Sequence, residues 1–233
     1  MITDNLIRLN KYLKDQDLCS RRKADEFIAK GYIKVNGQVI TELGAKLNPA
    51  TDKVEILPGA YLEKSEFKYI LLNKPKGYVC SKSHLDGRMI FELVPNIKDL
   101  TYAGRLDKDS HGLVLLSNDG KFIYRALGSE FECEKEYIVK VNKPITRDFL
   151  NYQSHGLIVL DGKRVKKAIV RQISECVYNI ILTEGIYHQI KRMAENQGYK
   201  VLDLERIRIG NIQDQTLALG AWRYLSKVEA LSF

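Results

Sequence analysis

Residues Ala103–Gly120 read AGRLDKDSHGLVLLSNDG. Within them Leu113–Leu116 is a short apolar run, bounded by Gly112 on one side and Asn118-Asp119-Gly120 on the other. That is the pattern of a buried strand. Directly before it stand Arg105, Asp107, Lys108 and Asp109, more opposed charge than a turn needs. A carboxylate in the loop feeding such a strand lies at the edge of the core on a rigid support. Neighbouring cations favour its ionised form. Asp107 is therefore a candidate nucleophile or base. Taken alone, Asp107 and Asp109 also suit an ordinary turn, where Asp is a default residue.

The segments on either side extend this pattern. LLNKPKGYVCS, Leu71–Ser81, joins a strand to a Lys-Pro-Lys-Gly corner. Lys74 and Lys76 there are candidates to meet an RNA backbone, or simply solvated lysines on a rigid turn. CEKEYIVKV places Tyr137 at the opening of a strand, where an aromatic packs in a sheet or offers a platform for an unstacked base. LTEGIYHQIKRM, Leu182–Met193, runs from a strand through Gly185 into a helix. Ile190, Met193, Ala194 and Gln197 share one side of that helix, and Gly198 supplies the stop. Of Lys191 and Arg192, one can turn inward onto a buried carboxylate, an arrangement that is costly unless well matched. The runs YILLNKP, LVLLSN, KEYIVKV, AIVRQI and VYNIIL read as strands, so residues 68–233 are expected to form one α+β domain.

A different unit precedes it, over residues 1–57. IRLNKYLKDQ spaces Ile7, Leu9, Tyr12 and Leu13 as a helix. CSRRKADEFIAKG gives a second helix, with Ser20 as N-cap and Gly31 as stop. YIKVNGQVI centres a hairpin on Asn36-Gly37, and KVEIL adds a strand. Arg21, Arg22 and Lys23 crowd the second helix's N-terminus, which is unfavourable for an isolated helix but useful if phosphate docks there. Pro58, Gly59 and the polar EKSE segment predict a linker over 58–67.

The chain has 233 residues and a formal net charge of +8. Excess positive charge points to a polyanionic partner. No apolar run approaches the roughly 20 residues of a membrane span, and MITDNLIRLNKY has no secretory h-region. Nucleic acid is thus favoured over membrane. Cys19, Cys80, Cys133 and Cys176 form no CxxC pair and the four histidines are scattered, so no metal site is expected. Reduced thiols of a cytoplasmic protein fit this usage.

In this order, NKPKGYVCS, GRLDKDSHGLVLLSNDG, KEYIV and EGIYHQIKRM resemble the RsuA/RluB/RluE/RluF family of ribosomal RNA pseudouridine synthases. The first block resembles the S-four-type (alpha-L) RNA-binding domain. Together the resemblances span essentially the whole chain. They imply a small helix-helix-hairpin RNA-binding domain followed by a mixed, mainly antiparallel catalytic sheet. They also imply isomerisation of a uridine in ribosomal RNA or an assembling ribosomal subunit, by a monomer without metal or small-molecule cofactor. Asp107 matches the family's catalytic Asp and Tyr137 its active-site Tyr. Lys191 matches the basic residue that pairs with the Asp, where related families have Arg; a Lys lacks the bidentate fork. Arg105 matches a position that helps displace the target base, and Leu204 an apolar contact near the Asp and Tyr. Arg21, Arg22, Lys23, Lys74, Lys76 and Arg192 are the remaining expected RNA contacts. GYVCS and EGIYHQIKRM lean toward RsuA, a small-subunit enzyme. CSRRKADEFI, GRLDKDS and EKEYIVKVNKPIT lean toward RluF, a large-subunit enzyme, which is preferred because it draws on both domains. The competing classes are a non-catalytic ribosome-assembly protein and a glycoside-cleaving enzyme. The latter usually needs a second carboxylate, with Asp109 and Glu184 as candidates.

Overall fold

The protein is described by a computed structural model covering residues 5–16, 18–61, 66–94, 97, 99–127 and 131–232. The chain divides into two units, Met1–Glu66 and Phe67–Phe233. In the first, Ile7–Arg8 forms a strand, β1, rather than the start of a helix, because it pairs with Leu47 and Lys46. Helix α1 (Leu9–Asp15) follows. Helix α2 (Arg21–Ala29) starts where the Ser20 hydroxyl accepts a 3.2 Å hydrogen bond from the Lys23 N–H. Its buried stripe of Ala24, Phe27 and Ile28 joins Leu9, Leu13 and Ile33 in one core.

Strands β2 (Ile33–Val35) and β3 (Gln38–Ile40) make the expected hairpin. Asn36 and Gly37 both take positive φ there, as a two-residue turn matched to strand twist requires. Strand β4 (Lys46–Leu47) is the partner of β1, and β5 (Val54–Ile56) completes a three-stranded sheet. The segment expected to open the linker is instead a helical turn, α3 (Pro58–Tyr61). Ala60, at 4% exposure, is part of the N-terminal core, so burial holds this segment to the first unit. Residues 62–65 of the expected linker lie outside the described residues.

The second unit is built on one nine-stranded sheet. Its strands are β6 (Tyr69–Lys74), β7 (Thr101–Ala103), β8 (His111–Ser117), β9 (Lys135–Val141), β12 (Ile169–Ser174), β13 (Val177–Leu182), β14 (Val201–Ile209), β15 (Ile212–Gln213) and β16 (Trp222–Tyr224). The small hairpin β10 (Val159–Leu160) and β11 (Lys163–Arg164) stands apart. The main path runs β12-β13-β9-β14-β8-β6-β16, with β15 on β14 and β7 on β8. Only β8 and β14 run parallel; every other pairing in the sheet is antiparallel. Among the described residues four α-helices accompany it: α4 (Gly120–Leu127), α5 (Arg147–Ser154), α6 (Gln189–Glu195) and α7 (Lys227–Leu231).

The apolar run in β8 is continuous because both faces are covered. Leu113 and Leu115 pack with Phe122 and Ala126 of α4, while Val114 and Leu116 pack with Ile70, Leu72 and Ile90. A third cluster joins Val139, Ile180 and Leu204 to Phe149 of α5 and to Ile190 and Met193 of α6. The parallel pairing sets the entry to β8 beside β14, with Gly112 opposite Arg206.

Candidate active site

The loop from Gly104 to Ser110 links β7 to β8 and carries Asp107 at the edge of the core. Its course is fixed from inside by two cations. Lys74, last residue of β6, is fully buried. Its ammonium donates to the carbonyl oxygens of Ser110 (2.6 Å), Asp107 (2.9 Å) and Pro75 (3.2 Å). Burial lowers the Lys74 pKa to about 8, against the opposing pull of Cys80 and Asp107. Arg206 of β14, 2% exposed, donates from Nε to the Leu113 carbonyl (2.6 Å) and from a terminal nitrogen to the Gly104 carbonyl (3.3 Å). Both cations therefore grip the main chain of the Asp107 loop and leave its side chain to others.

The side chain faces α6. Lys191 donates to Asp107 Oδ2 at 2.9 Å and to Asp109 Oδ1 at 2.6 Å. An arginine could close a fork on one carboxylate; this ammonium divides itself between two. Burial alone would lower the Lys191 pKa, but its bonds to Asp109 and Asp107 outweigh that and hold it above the ordinary lysine value. Burial likewise pushes Asp109 up, and the Lys191 contact reverses it to a net decrease. His188 Nε2 lies 3.3 Å from Asp107 Oδ1. His188 reaches it from a left-handed backbone conformation, φ 52° and ψ 32°, directly before α6. That conformation is uncommon for a side chain other than glycine. The turn is closed by Gln189, whose side chain accepts from the Ile186 N–H (2.9 Å) and donates to Glu184 (2.7 Å). The His188 ring stacks on exposed Tyr187 with centroids 3.9 Å apart, and the Arg105 guanidinium lies 6.0 Å from the Tyr187 ring.

Tyr137 of β9 is in register with Arg206, which is in register with Gly112. It is partly buried and packs against the clusters holding Leu106 and Leu204. Leu204 itself is buried at 7% exposure. Gly112 has no room for a side chain: a Cβ there would lie 2.3 Å from the Arg206 carbonyl oxygen. That close approach brings the two central strands together under the loop.

Lys74 corrects the sequence reading. Expected to meet an RNA backbone, it has no exposed surface, because its stem belongs to an inward position of β6 and its head to the loop carbonyls. Lys76 stays half exposed and pairs with Asp203 of β14 at 2.6 Å, where His111 also contacts that carboxylate at 3.2 Å. Arg192 closes a two-bond fork on Asp161, both bonds 2.8 Å. In the first unit Arg21 and Arg22 are exposed at the start of α2, and Lys23 pairs with Glu26 at 2.9 Å. Arg206 and His188 escaped the sequence reading. Arg206 had a faint signal, since it alternates with Leu204 along a strand and so shares its buried face. His188 had none, since its placement depends on one backbone angle. Among the described residues no group of three or more His, Cys, Asp or Glu could hold a metal ion, and no helix is long and apolar enough to cross a membrane.

Comparisons with known proteins bear on this geometry. Residues 68–196 match the family described as RNA pseudouridylate synthase, and residues 7–53 match the S4 domain. The dual-specificity RNA pseudouridine synthase RluF of Escherichia coli K12 is 38% identical over 99% of this chain and 79% of its own length. The ribosomal small subunit pseudouridine synthase A of Vibrio cholerae is 37% identical over 97% of this chain and 99% of its own. A crystal structure of a pseudouridylate synthase superposes with a TM-score of 0.72 at 30% identity, covering 97% of this chain and 99% of that one.

Proposed function

Because this chain belongs to the RNA pseudouridylate synthase family, as an S4-bearing enzyme of the RluF and RsuA type, we propose that it isomerises a uridine of ribosomal RNA with Asp107 as the catalytic carboxylate. The observation that carries this reading is the Lys191–Asp107 contact of 2.9 Å, on a loop gripped from beneath by Lys74 and Arg206. A carboxylate so placed is directed and unable to drift.

A uridine within structured RNA must leave its stack to reach such a group, at a cost of a few kcal/mol. Tyr137 is proposed as the platform for the extruded base; stacking on it returns about 1–3 kcal/mol. Asp107 then acts at the ribose, as nucleophile on C1′ or as base toward the 2′ hydrogen. The bond from C1′ to the base nitrogen breaks, the base turns over, and C1′ bonds to C5 as the C1′–Asp107 bond breaks on the first route or as Asp107 returns the proton to C2′ on the second. The C5 proton departs, assisted by Tyr137, and the nitrogen released from the ribose gains one. Atoms and charge balance without a co-reactant. Arg105, exposed on the loop, is proposed to help displace the base, and Leu204 to line the pocket.

Large-subunit RNA is the preferred target, on residues of both domains that lean toward RluF, although the RluF of Escherichia coli is named a dual-specificity enzyme and so does not single out one RNA. The similarity to a small-subunit synthase keeps that RNA as the second reading. Carbodiimide mapping of total ribosomal RNA, with and without this gene, tests the target: one missing stop identifies subunit and position. Asp107→Asn is expected to abolish tritium release from RNA carrying 5-tritiated uridine while RNA binding persists. Near-normal release would end the assignment of Asp107.

A further inference from the structure

Leu85 is 97% exposed, more than any other large apolar side chain among the described residues. A lone exposed leucine is ordinary on a protein surface. The loop that carries this one is not. Its ends meet where Val79 bridges Met89: the Val79 N–H donates to the Arg88 carbonyl (2.8 Å), and the Ile90 N–H to the Val79 carbonyl (3.1 Å). Within it, the Ser81 hydroxyl bonds the Asp86 carboxylate and accepts from the Ser83 N–H (3.0 Å). The Ser83 hydroxyl accepts from the Leu85 N–H (3.3 Å), in a 3-10 turn over His84–Asp86. Local polar bonds thus close the turn while its apolar tip is left in water.

The root of this finger is tied to both sequence neighbours of Asp107. The Gly77 N–H donates to the Lys108 carbonyl (2.7 Å), and the Leu106 N–H to Cys80 Sγ (3.5 Å). Cations surround it. The Lys82 ammonium lies 5.7 Å from the Phe91 ring centroid, and the Arg88 guanidinium 5.0 Å from that of Tyr78. The Lys108 ammonium lies 3.5 Å from where a Cβ of Gly87 would stand. None of these three has a carboxylate partner among the described residues. The finger's one acid, Asp86, is held by Ser81.

An exposed apolar tip on a loop that also carries Lys82 and Arg88, with the Lys108 ammonium beside its Gly87, matches the chemistry of nucleic acid, with phosphates outside and apolar base faces within. We propose that Leu85 is a wedge: it enters the RNA stack beside the target uridine and fills the gap left when that base turns toward Asp107. Lys82, Arg88 and Lys108 neutralise the flanking phosphates. This rests on the reading of Asp107 as the group that receives an extruded uridine. The wedge acts on the extruded state, so it raises turnover more than affinity.

The test compares wild type, Leu85→Ser, Leu85→Met and Leu231→Ser. Substrates are deproteinised ribosomal RNA carrying 5-tritiated uridine, from cells lacking this gene, and ribosomal subunits from the same cells. Leu85→Ser is expected to lower kcat roughly 10-fold or more, the scale of one leucine burial. KM is expected to stay within about 2-fold and the melting temperature unchanged, because the side chain is almost fully exposed in the free protein. Leu85→Met restores turnover through equal apolar volume. Leu231→Ser, an exposed leucine of α7, leaves kcat as it was. Wild-type kcat in Leu85→Ser overturns the wedge, as does a loss carried by KM alone. A loss confined to assembled subunits overturns it in favour of a protein contact. No tritium release by the wild type on either substrate overturns the isomerase reading as well.

Discussion

Lys74 is a buried cation whose hydrogen-bond partners are all main-chain carbonyls, and two of those belong to the Asp107 loop. Desolvation of such a charge costs free energy that the three acceptors offset. Lys74→Met keeps the apolar stem and leaves the carbonyls without a donor, a loss of about 1–3 kcal/mol. Its melting temperature is expected to fall by roughly 3–10 °C at neutral pH. The pKa of about 8 adds a pH signature. Between about pH 8 and the ordinary lysine value near 10.5, the unfolded chain holds a proton that the folded one has released. This residue's contribution to stability therefore rises with pH across that window and is lost as pH falls through 8. Denaturant melts of wild type and Lys74→Met from pH 7 to 10.5 check the sign: the stability gap in favour of wild type must widen as pH rises above 8.

Among the elements, β16 and α7 show how a marginal segment is held. Helix α7 is five residues long with no buried residue, so its own hydrogen bonds cannot sustain it. Ser226 and Glu229 form a capping box, and Arg223 of β16 clamps Asp214 (2.7 Å) on one side and Glu229 (2.7 Å) on the other. Hydrogen bonds from Arg223 are the main reason both carboxylates sit at a pKa of about 2. Their folded pKa values lie below the unfolded ones, so the stabilisation is complete above about pH 5 and is lost as pH falls through 2. Acid titration followed by the fluorescence of Trp222, the single tryptophan, is expected to report release of this corner in that range. Arg223→Met should show the released signal already at neutral pH; an unchanged titration would refute the clamp.

For the whole molecule, the net charge of +8 is divided between an S4 unit with an exposed Arg21-Arg22 pair and a synthase unit with cations around Asp107. Phosphate contacts made through Arg21 and Arg22 would release counterions. The double change Arg21→Gln and Arg22→Gln is expected to reduce the slope of log affinity against log salt by about 1.5, the share of two phosphates. An unchanged slope would remove this helix end from the RNA contact. Local rules made much of this molecule readable: the Ser20 cap, the Asn36-Gly37 hairpin, the buried run of β8 and the presence of Asp107 before it each depend on a few adjacent residues. The mixed sheet and the synthase chemistry followed from motifs in their order. What those rules could not assign was which cations serve Asp107. Lys191 is 84 positions away from it, Lys74 is 36 from Ser110, and Arg206 is 93 from Leu113. The sequence by itself determined the hairpin at Asn36-Gly37, the strands β6, β8, β9, β12 and β13 and the place of the acid before β8, while β7, β14 and β16 were not read as strands. Only the tertiary structure decided that Lys74 is buried, that Lys191, already implied by the family resemblance as the partner of Asp107, divides itself between Asp107 and Asp109, and that His188 and Arg206 contact the Asp107 side chain and its loop. A charge's partner depends on sheet order and on what excludes water around it, and both are properties of contacts between segments remote in sequence.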